Sequence, residues 1–199
     1  MSDKLRVWAP LLEAIQIEVA TVEGSSRSPM EPADGGWWEA LSPPSGAPYR
    51  FVFDDMAVAD PRSKRQPEGS NGWSQVFDHD DFTWTDDGWT CFPLASALIY
   101  EMHVGTFTAD GTFDSAIGKL DDLVDLGVTA LEIMPVATFT GTRGWGYDGV
   151  NLFAPHEAYG GPDGLKRLID ACHARRIAVI IDVVSVSYTH LTLPTICSV

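Results

Sequence analysis

The apolar pattern of residues 98–184 constrains this chain more than any other feature. Three runs there read as strands: Leu98-Ile99-Tyr100-Glu101-Met102-His103-Val104, Val128-Thr129-Ala130-Leu131-Glu132-Ile133-Met134-Pro135-Val136 and Ile177-Ala178-Val179-Ile180-Ile181-Asp182-Val183-Val184. Between them the period becomes helical. Over residues 114–126, Ile117, Leu120, Leu123 and Val124 share one helical face, with Gly127 as the stop. Pro162-Asp163 opens a second helix, in which Leu165, Leu168, Ile169 and Cys172 recur at i, i+3, i+4 and i+7. Strand, helix, strand, long loop, helix, strand is the order of a parallel sheet with right-handed crossovers. Ile177 to Ile181 is apolar on both faces, which predicts a strand covered on both sides. A (β/α)8 barrel fits this alternation but takes about 250 residues. Only about 100 follow residue 95, enough for the first three of eight units.

Residues 5 to about 90 obey a different rule. Leu5-Arg6-Val7-Trp8-Ala9, Ala14-Ile15-Gln16-Ile17-Glu18-Val19, Gly36-Trp37-Trp38-Glu39-Ala40 and Tyr49-Arg50-Phe51-Val52-Phe53 are short strand patterns separated by turn formers such as Asp34-Gly35-Gly36 and Pro43-Pro44-Ser45-Gly46. Their spacing predicts an all-β sandwich over residues 1–90, ahead of an incomplete α/β barrel over 91–184. Trp8, Trp37 and Trp38 have two readings: rings that pack or cover the core, or exposed faces for a sugar.

Charge narrows the partners. Thirteen Lys and Arg against 28 Asp and Glu give a net charge of −15, which argues against nucleic acid. The one basic cluster, Arg62-Ser63-Lys64-Arg65, lies between Pro61 and Pro67 and reads as a loop. An acidic surface favours solubility and suits an uncharged substrate. Cys91, Cys172 and Cys197 are widely spaced without a metal-ligand pattern, as expected of reduced thiols in a cytosolic protein. The N-terminal Met1-Ser2-Asp3-Lys4-Leu5-Arg6 has no apolar signal core, and no run approaches the roughly 18 apolar residues of a membrane span. A cytoplasmic, soluble chain is expected.

The last residues break the pattern. From Val183 to Val199, 17 residues contain no Asp, Glu, Lys or Arg. Residues 185–199 are read as an out-of-family tail from a truncated or frameshifted reading frame, the alternative being a genuine β-rich extension.

Chemistry is expected at the C-terminal ends of the parallel strands. The connection over residues 137–161 is 25 residues long, beyond the roughly 12–15 at which loops of compact domains are usually functional or disordered. It carries Arg143, Trp145, Tyr147, Asp148, His156, Glu157 and Tyr159. Aromatic faces and carboxylates together suit a pyranose ring, although Trp145 and Phe153 could merely anchor the loop. Trp145, Tyr147, Asp148 and Asp182 are the substrate-binding candidates. Glycoside hydrolysis needs two carboxylates, about 5–5.5 Å apart for retention. Glu101 and Glu132 sit inside strands, where structural hydrogen bonding is expected. Asp182 sits near a strand end, but no acidic residue follows it, so no catalytic pair is assigned. His103, His156 and His173 show no paired ligand spacing, and neither a metal nor a cofactor is expected.

Ile99-Tyr100-Glu101, Trp145-Gly146-Tyr147-Asp148-Gly149, Ala154-Pro155 and Tyr159-Gly160-Gly161-Pro162-Asp163-Gly164-Leu165-Lys166 resemble the barrel start of the α-amylase superfamily of glycoside hydrolases. Within it, Arg62-Ser63-Lys64-Arg65-Gln66-Pro67-Glu68-Gly69, His103-Val104-Gly105-Thr106-Phe107-Thr108 with Gly111-Thr112-Phe113, and the second loop through His156-Glu157-Ala158-Tyr159-Gly160-Gly161 are most similar to malto-oligosyltrehalose trehalohydrolases. The resemblance covers roughly residues 5–184. It implies an immunoglobulin-like, early-set sandwich followed by a TIM barrel. It also implies a retaining enzyme that cleaves the α-1,4 bond next to the trehalose end of maltooligosyl trehalose. The family's nucleophile, acid/base and stabilising Asp lie on its fourth, fifth and seventh strands, so an inactive N-terminal fragment is expected. Asp182 matches the first residue of the family's third-strand motif, which normally continues to an Asn and a His. Here Ser185, Val186 and Ser187 follow instead. Tyr147 matches the aromatic that stacks on the sugar at the cleaved position, and Asp148 lies beside it. A branching or debranching enzyme, and a non-catalytic glucan-binding module, are the alternatives.

Overall fold

The computed structural model describes residues 4–184. The expected tail at 185–199, with Cys197, lies outside the described residues. Eight short strands come first: β1 (Lys4–Trp8), β2 (Gln16–Thr21), β3 (Gly24–Pro29), β4 (Glu31–Ala33), β5 (Trp37–Leu41), β6 (Pro48–Phe53), β7 (Met56–Val58) and β8 (Ser74–Gln75). They make two antiparallel sheets, β1-β5-β4 and β3-β2-β6-β7, with β8 also paired to β6. One core joins the sheets: Ile15, Ile17, Met30, Tyr49 and Phe51 are buried, and Val7, Trp38 and Ala40 pack against them. Strand alternation explains the choice of faces. Val7 pairs with Trp38 toward the core, while the neighbouring Trp8–Trp37 pair turns outward.

All three tryptophans are engaged within the protein. The indole N–H of Trp8 donates to Gly35 O at 3.0 Å, and that of Trp38 to Ala9 O at 3.1 Å. The guanidinium groups of Arg6 and Arg62 lie 5.0 and 5.2 Å from the Trp37 ring. Strand β3 had no apolar signature to announce it, and all six of its residues are exposed. It exists because the turn before Gly24, with φ at 139°, folds it back onto β2, where Arg27 reaches Glu18 at 3.3 Å.

The second region contains β9 (Ile99–Met102), α1 (Val104–Phe107), α2 (Phe113–Ile117), α3 (Leu120–Asp125), β10 (Ala130–Ile133), α4 (Gly161–Ala174) and β11 (Ala178–Ile181). The strands are parallel in the order β11-β10-β9, with Glu132 opposite both Glu101 and Ile180. Met102, Leu131 and Ile133 face the helices and join Phe113, Leu120, Leu123, Leu168 and Cys172 in a fully enclosed core. The opposite face of the sheet carries Glu101, Glu132 and Ile180.

Three expectations change here. The helix expected over 114–126 is two helices: Thr112 and Ser115 cap the start of α2, Gly118 ends it, and Lys119, with φ −112° and ψ 0°, precedes α3. Within α3, Leu120 and Leu123 are buried while Val124 is 43% exposed. The expected strands are longer than the observed ones, and Val104 already belongs to α1. Finally, β11 is not covered on both sides: Ile177 and Ala178 are buried, but Ile181 is 40% exposed. Its only ladder partner among the described residues is β10.

Residues between β6 and β9 tie the two regions together along α4. Arg65 bonds Glu157 at 2.9 Å and Asp163 at 3.0 Å. Lys166 Nζ donates to His79 O at 2.8 Å, Thr85 Oγ1 to Asp170 at 2.7 Å, and His173 Nδ1 meets Asp86 at 2.7 Å beneath the stacked Trp89 ring. No described helix is long and apolar enough to cross a membrane.

Candidate functional site

The site lies where parallel-sheet chemistry is expected, at the C-terminal ends of β9, β10 and β11. Continuing the alternation along these strands places His103 and Asp182 on the same face as Glu101, Glu132 and Ile180, one layer nearer the strand ends. The long loop returns over this layer. Its two ends are zipped by the Ala137–Pro155 bridge, by Thr138 N to Ala154 O at 2.9 Å, and by His156 N to Val136 O at 2.8 Å. Gly146 lets the loop settle on β10: its φ is 78°, and a Cβ there would stand 1.9 Å from Pro135 O. At the far end Asn151 adopts a φ of 50° and donates its amide to Asp60 O at 3.2 Å. Asp60 is itself buried at the edge of the antiparallel region, accepting from Tyr49 Oη at 2.6 Å and Arg62 N at 2.8 Å. Burial raises the Asp60 carboxyl above the usual range, against the lowering effect of the Tyr49 hydrogen bond.

Between these attachments the sequence-predicted residues separate by role. Tyr147 is 47% exposed, and its hydroxyl donates to Asp182 Oδ2 at the long distance of 3.5 Å. Desolvation and the negative charge of Asp182, then of Glu101, raise the Tyr147 phenol above 10, with Glu132 adding to them. The phenol therefore stays protonated at neutral pH and acts as a donor. Trp145 is 62% exposed and leans on the His103 ring, with centroids 4.9 Å apart. Asp148 is exposed and has no hydrogen-bond or ion-pair partner among the described residues.

Two groups in the loop are structural. His156 is buried and stacks on Phe139 with centroids 3.7 Å apart; burial lowers its pKa, against the Gly141 carbonyl, and keeps it neutral. Glu157 is committed to Arg65. Glu101 and Glu132 correct the expectation of structural hydrogen bonds, since neither has such a partner among the described residues. Both lie on the sheet face away from the helices, and their effect is a negative potential at the Tyr147 hydroxyl. Sequence reasoning weighed His103 as a metal ligand and missed its bond to the loop at Gly144 O. Its place at the end of the first parallel strand was the available signal.

The arrangement offers the exposed rings of Trp145 and Tyr147 and a phenolic donor close to the Asp182 carboxylate. These are groups that stack on an apolar ring face and hydrogen-bond its hydroxyls.

The family model for the alpha amylase catalytic domain matches residues 59–190. A malto-oligosyltrehalose trehalohydrolase from Arthrobacter ramosus is 47% identical over 96% of this chain and 33% of its own length. A 1,4-alpha-glucan branching enzyme from Pseudoalteromonas atlantica is 32% identical over 90% of this chain and 28% of its own. Among solved structures, a Salmonella typhimurium protein assigned as an alpha amylase superposes with a TM-score of 0.84 at 43% identity, covering 90% of this chain and 31% of that one. The chain spans about a third of the length of the curated relatives it matches. With the catalytic-domain model extending over most of its residues, the chain belongs to the alpha-amylase family.

Proposed function

We propose that this chain is the N-terminal part of a malto-oligosyltrehalose trehalohydrolase, which hydrolyses the α-1,4 bond beside the trehalose end of maltooligosyl trehalose. The observation that carries the reading is the Tyr147–Asp182 contact at the strand ends, in a chain far more similar to a trehalohydrolase than to a branching enzyme. In this reading the antiparallel sheets are an immunoglobulin-like sandwich over residues 1–90, and β9, β10 and β11 are the first three strands of a (β/α)8 barrel over 91–184. Tyr147 stacks on the sugar at the cleaved bond, Trp145 supplies a second platform, and Asp148 and Asp182 accept from hydroxyls. The two carboxylates that retaining hydrolysis requires come from strands beyond residue 184. The chain by itself binds without cleaving, and works in the cytoplasm.

The test is to assay the 199-residue chain beside one extended to the relatives' full length, with maltooligosyl trehalose as substrate. Trehalose release by the long chain and none by the short one is expected. New α-1,6 branches on amylose, without trehalose release, would replace this reading with the branching enzyme.

A further inference from the structure

We propose that His103 and Tyr159 are positioning residues for the glucan site, holding residues 145–147 in place through the backbone carbonyl of Gly144. The inference rests on the glucan reading above. Gly144 O is approached from two separate elements: His103 Nε2 at 2.9 Å from the end of β9, and Tyr159 Oη at 3.0 Å from the turn before α4. A carbonyl only accepts, so His103 must carry its proton on Nε2. His103 Nδ1, 3.0 Å from Thr106 Oγ1, then accepts from that hydroxyl in the neutral ring. Burial raises the Tyr159 phenol, so its hydroxyl remains a donor. Tyr159 Oη and His103 Nε2 are also 3.2 Å apart, which makes the two donors and the carbonyl one triangle.

The surroundings leave little freedom for any member of that triangle. The Tyr159 ring is buried among Phe113, Phe139 and His156, with centroids 6.0, 5.7 and 5.5 Å away. A Cβ on Gly144 would approach Phe139 Cδ2 to 2.9 Å, and one on Gly105 would approach Tyr159 Cε1 to 3.0 Å and His103 Cε1 to 3.1 Å. A side chain at either position would have to displace the ring beside it. On the outer side the imidazole supports the Trp145 ring, so one side chain holds the loop backbone and its exposed aromatic together. Two residues further on, Tyr147 reaches Asp182. The exposed rings therefore rest on a fixed base, and a bound sugar does not have to order the loop first.

Amide hydrogen exchange over residues 138–156 of the 199-residue chain, where the Thr138, Ala154 and His156 amides are hydrogen-bonded, tests this, with maltotetraose titration followed by tryptophan fluorescence as the second readout. His103→Ala and Tyr159→Phe are expected to speed exchange there by about tenfold or more, leaving β10 and the middle of α4 at wild-type rates. His103→Gln, whose amide nitrogen can take the place of Nε2, is expected to restore slow exchange. Unchanged loop exchange in both disruptive variants overturns the proposal. So does an equal rise throughout α2, α4 and β10, which marks a general loss of stability. Weaker maltotetraose binding in His103→Ala with recovery in His103→Gln supports the positioning role. A wild-type chain that does not respond to maltotetraose overturns the glucan reading, while loop exchange still decides whether the two side chains hold Gly144.

Discussion

The antiparallel region and the parallel region solve the same burial problem differently. In the first, two sheets close on each other, and the face turned to solvent is occupied by ion pairs and cation–π contacts such as Lys4–Glu39 and Arg6 over Trp37. In the second, one sheet is covered by helices on a single face. Met102, Leu131 and Ile133 supply stability there, while Glu101, Glu132 and Asp182 stand on the other side with the aromatic loop above them. The packed core and the candidate site thus occupy opposite faces of one sheet. A substitution on the helix side is expected to change folding, and one on the open side to change binding.

The largest effect expected is on the helix side. Phe113 is fully buried and packs beside Tyr159 and the glycines at the start of α4. Phe113→Ala is expected to cost about 3–5 kcal/mol, read as a lower denaturant midpoint for α2, α4 and β10, with exchange in β2 and β6 much less affected. Simultaneous loss of both regions would show that they form one cooperative unit and break the contrast.

The next effect belongs to the antiparallel region and appears in acid. Glu18 is held at about 2, below its ordinary 4.5, first by Arg50 at 2.6 Å and then by Ser25 at 2.6 Å, with Arg27 also contributing. A lowered carboxyl stabilises the fold fully above its unfolded pKa, and that contribution is lost as pH falls from 4.5 toward 2. Melting temperatures of wild type and Glu18→Gln across this range should converge as pH drops. Parallel curves would remove Glu18 as the cause.

Smaller again is the linkage between regions. Arg65→Ala removes the bonds to Glu157 and Asp163, both partly solvated, and is expected to cost about 1 kcal/mol, with any two-step melting made more distinct. The smallest stability change is expected at the open site. Tyr147→Ala should shift unfolding by no more than about 0.5 kcal/mol yet weaken glucan affinity by about tenfold. A large melting shift with unchanged affinity would make Tyr147 a structural ring.

Legibility in the sequence followed the same division. Strands β2 and β6 were readable because Ile15, Ile17, Phe51 and neighbouring apolar residues mark buried positions, and α4 because Leu168 and Cys172 keep helical spacing. Strand β3 was not, since Gly24-Ser25-Ser26-Arg27-Ser28-Pro29 buries nothing and is defined by its partner. Nor was the break at Gly118, because the apolar period runs on through Gly118 and Lys119 while the backbone there ends one helix and starts another. The loop's length and aromatic content marked a candidate site, and Tyr147 and Asp182 do meet there. The role of His103 was not legible because its partner is a backbone carbonyl 41 residues away, and a carbonyl leaves no trace in residue identity.

The attachments along α4 also set an order of events during synthesis. Arg65 emerges 92 residues before Glu157 and 98 before Asp163. At about 5–20 residues per second, that separates the partners by roughly 5–20 s on the ribosome. The antiparallel sheets are complete at Gln75 and have time to form while Arg65 and the segment behind it still wait for their carboxylates. The arrival of α4 then docks that segment, and Asn151, made a few residues earlier, meets an Asp60 already fixed by Tyr49. The older half of the nascent chain thereby serves as a template on which the aromatic loop is seated as it emerges.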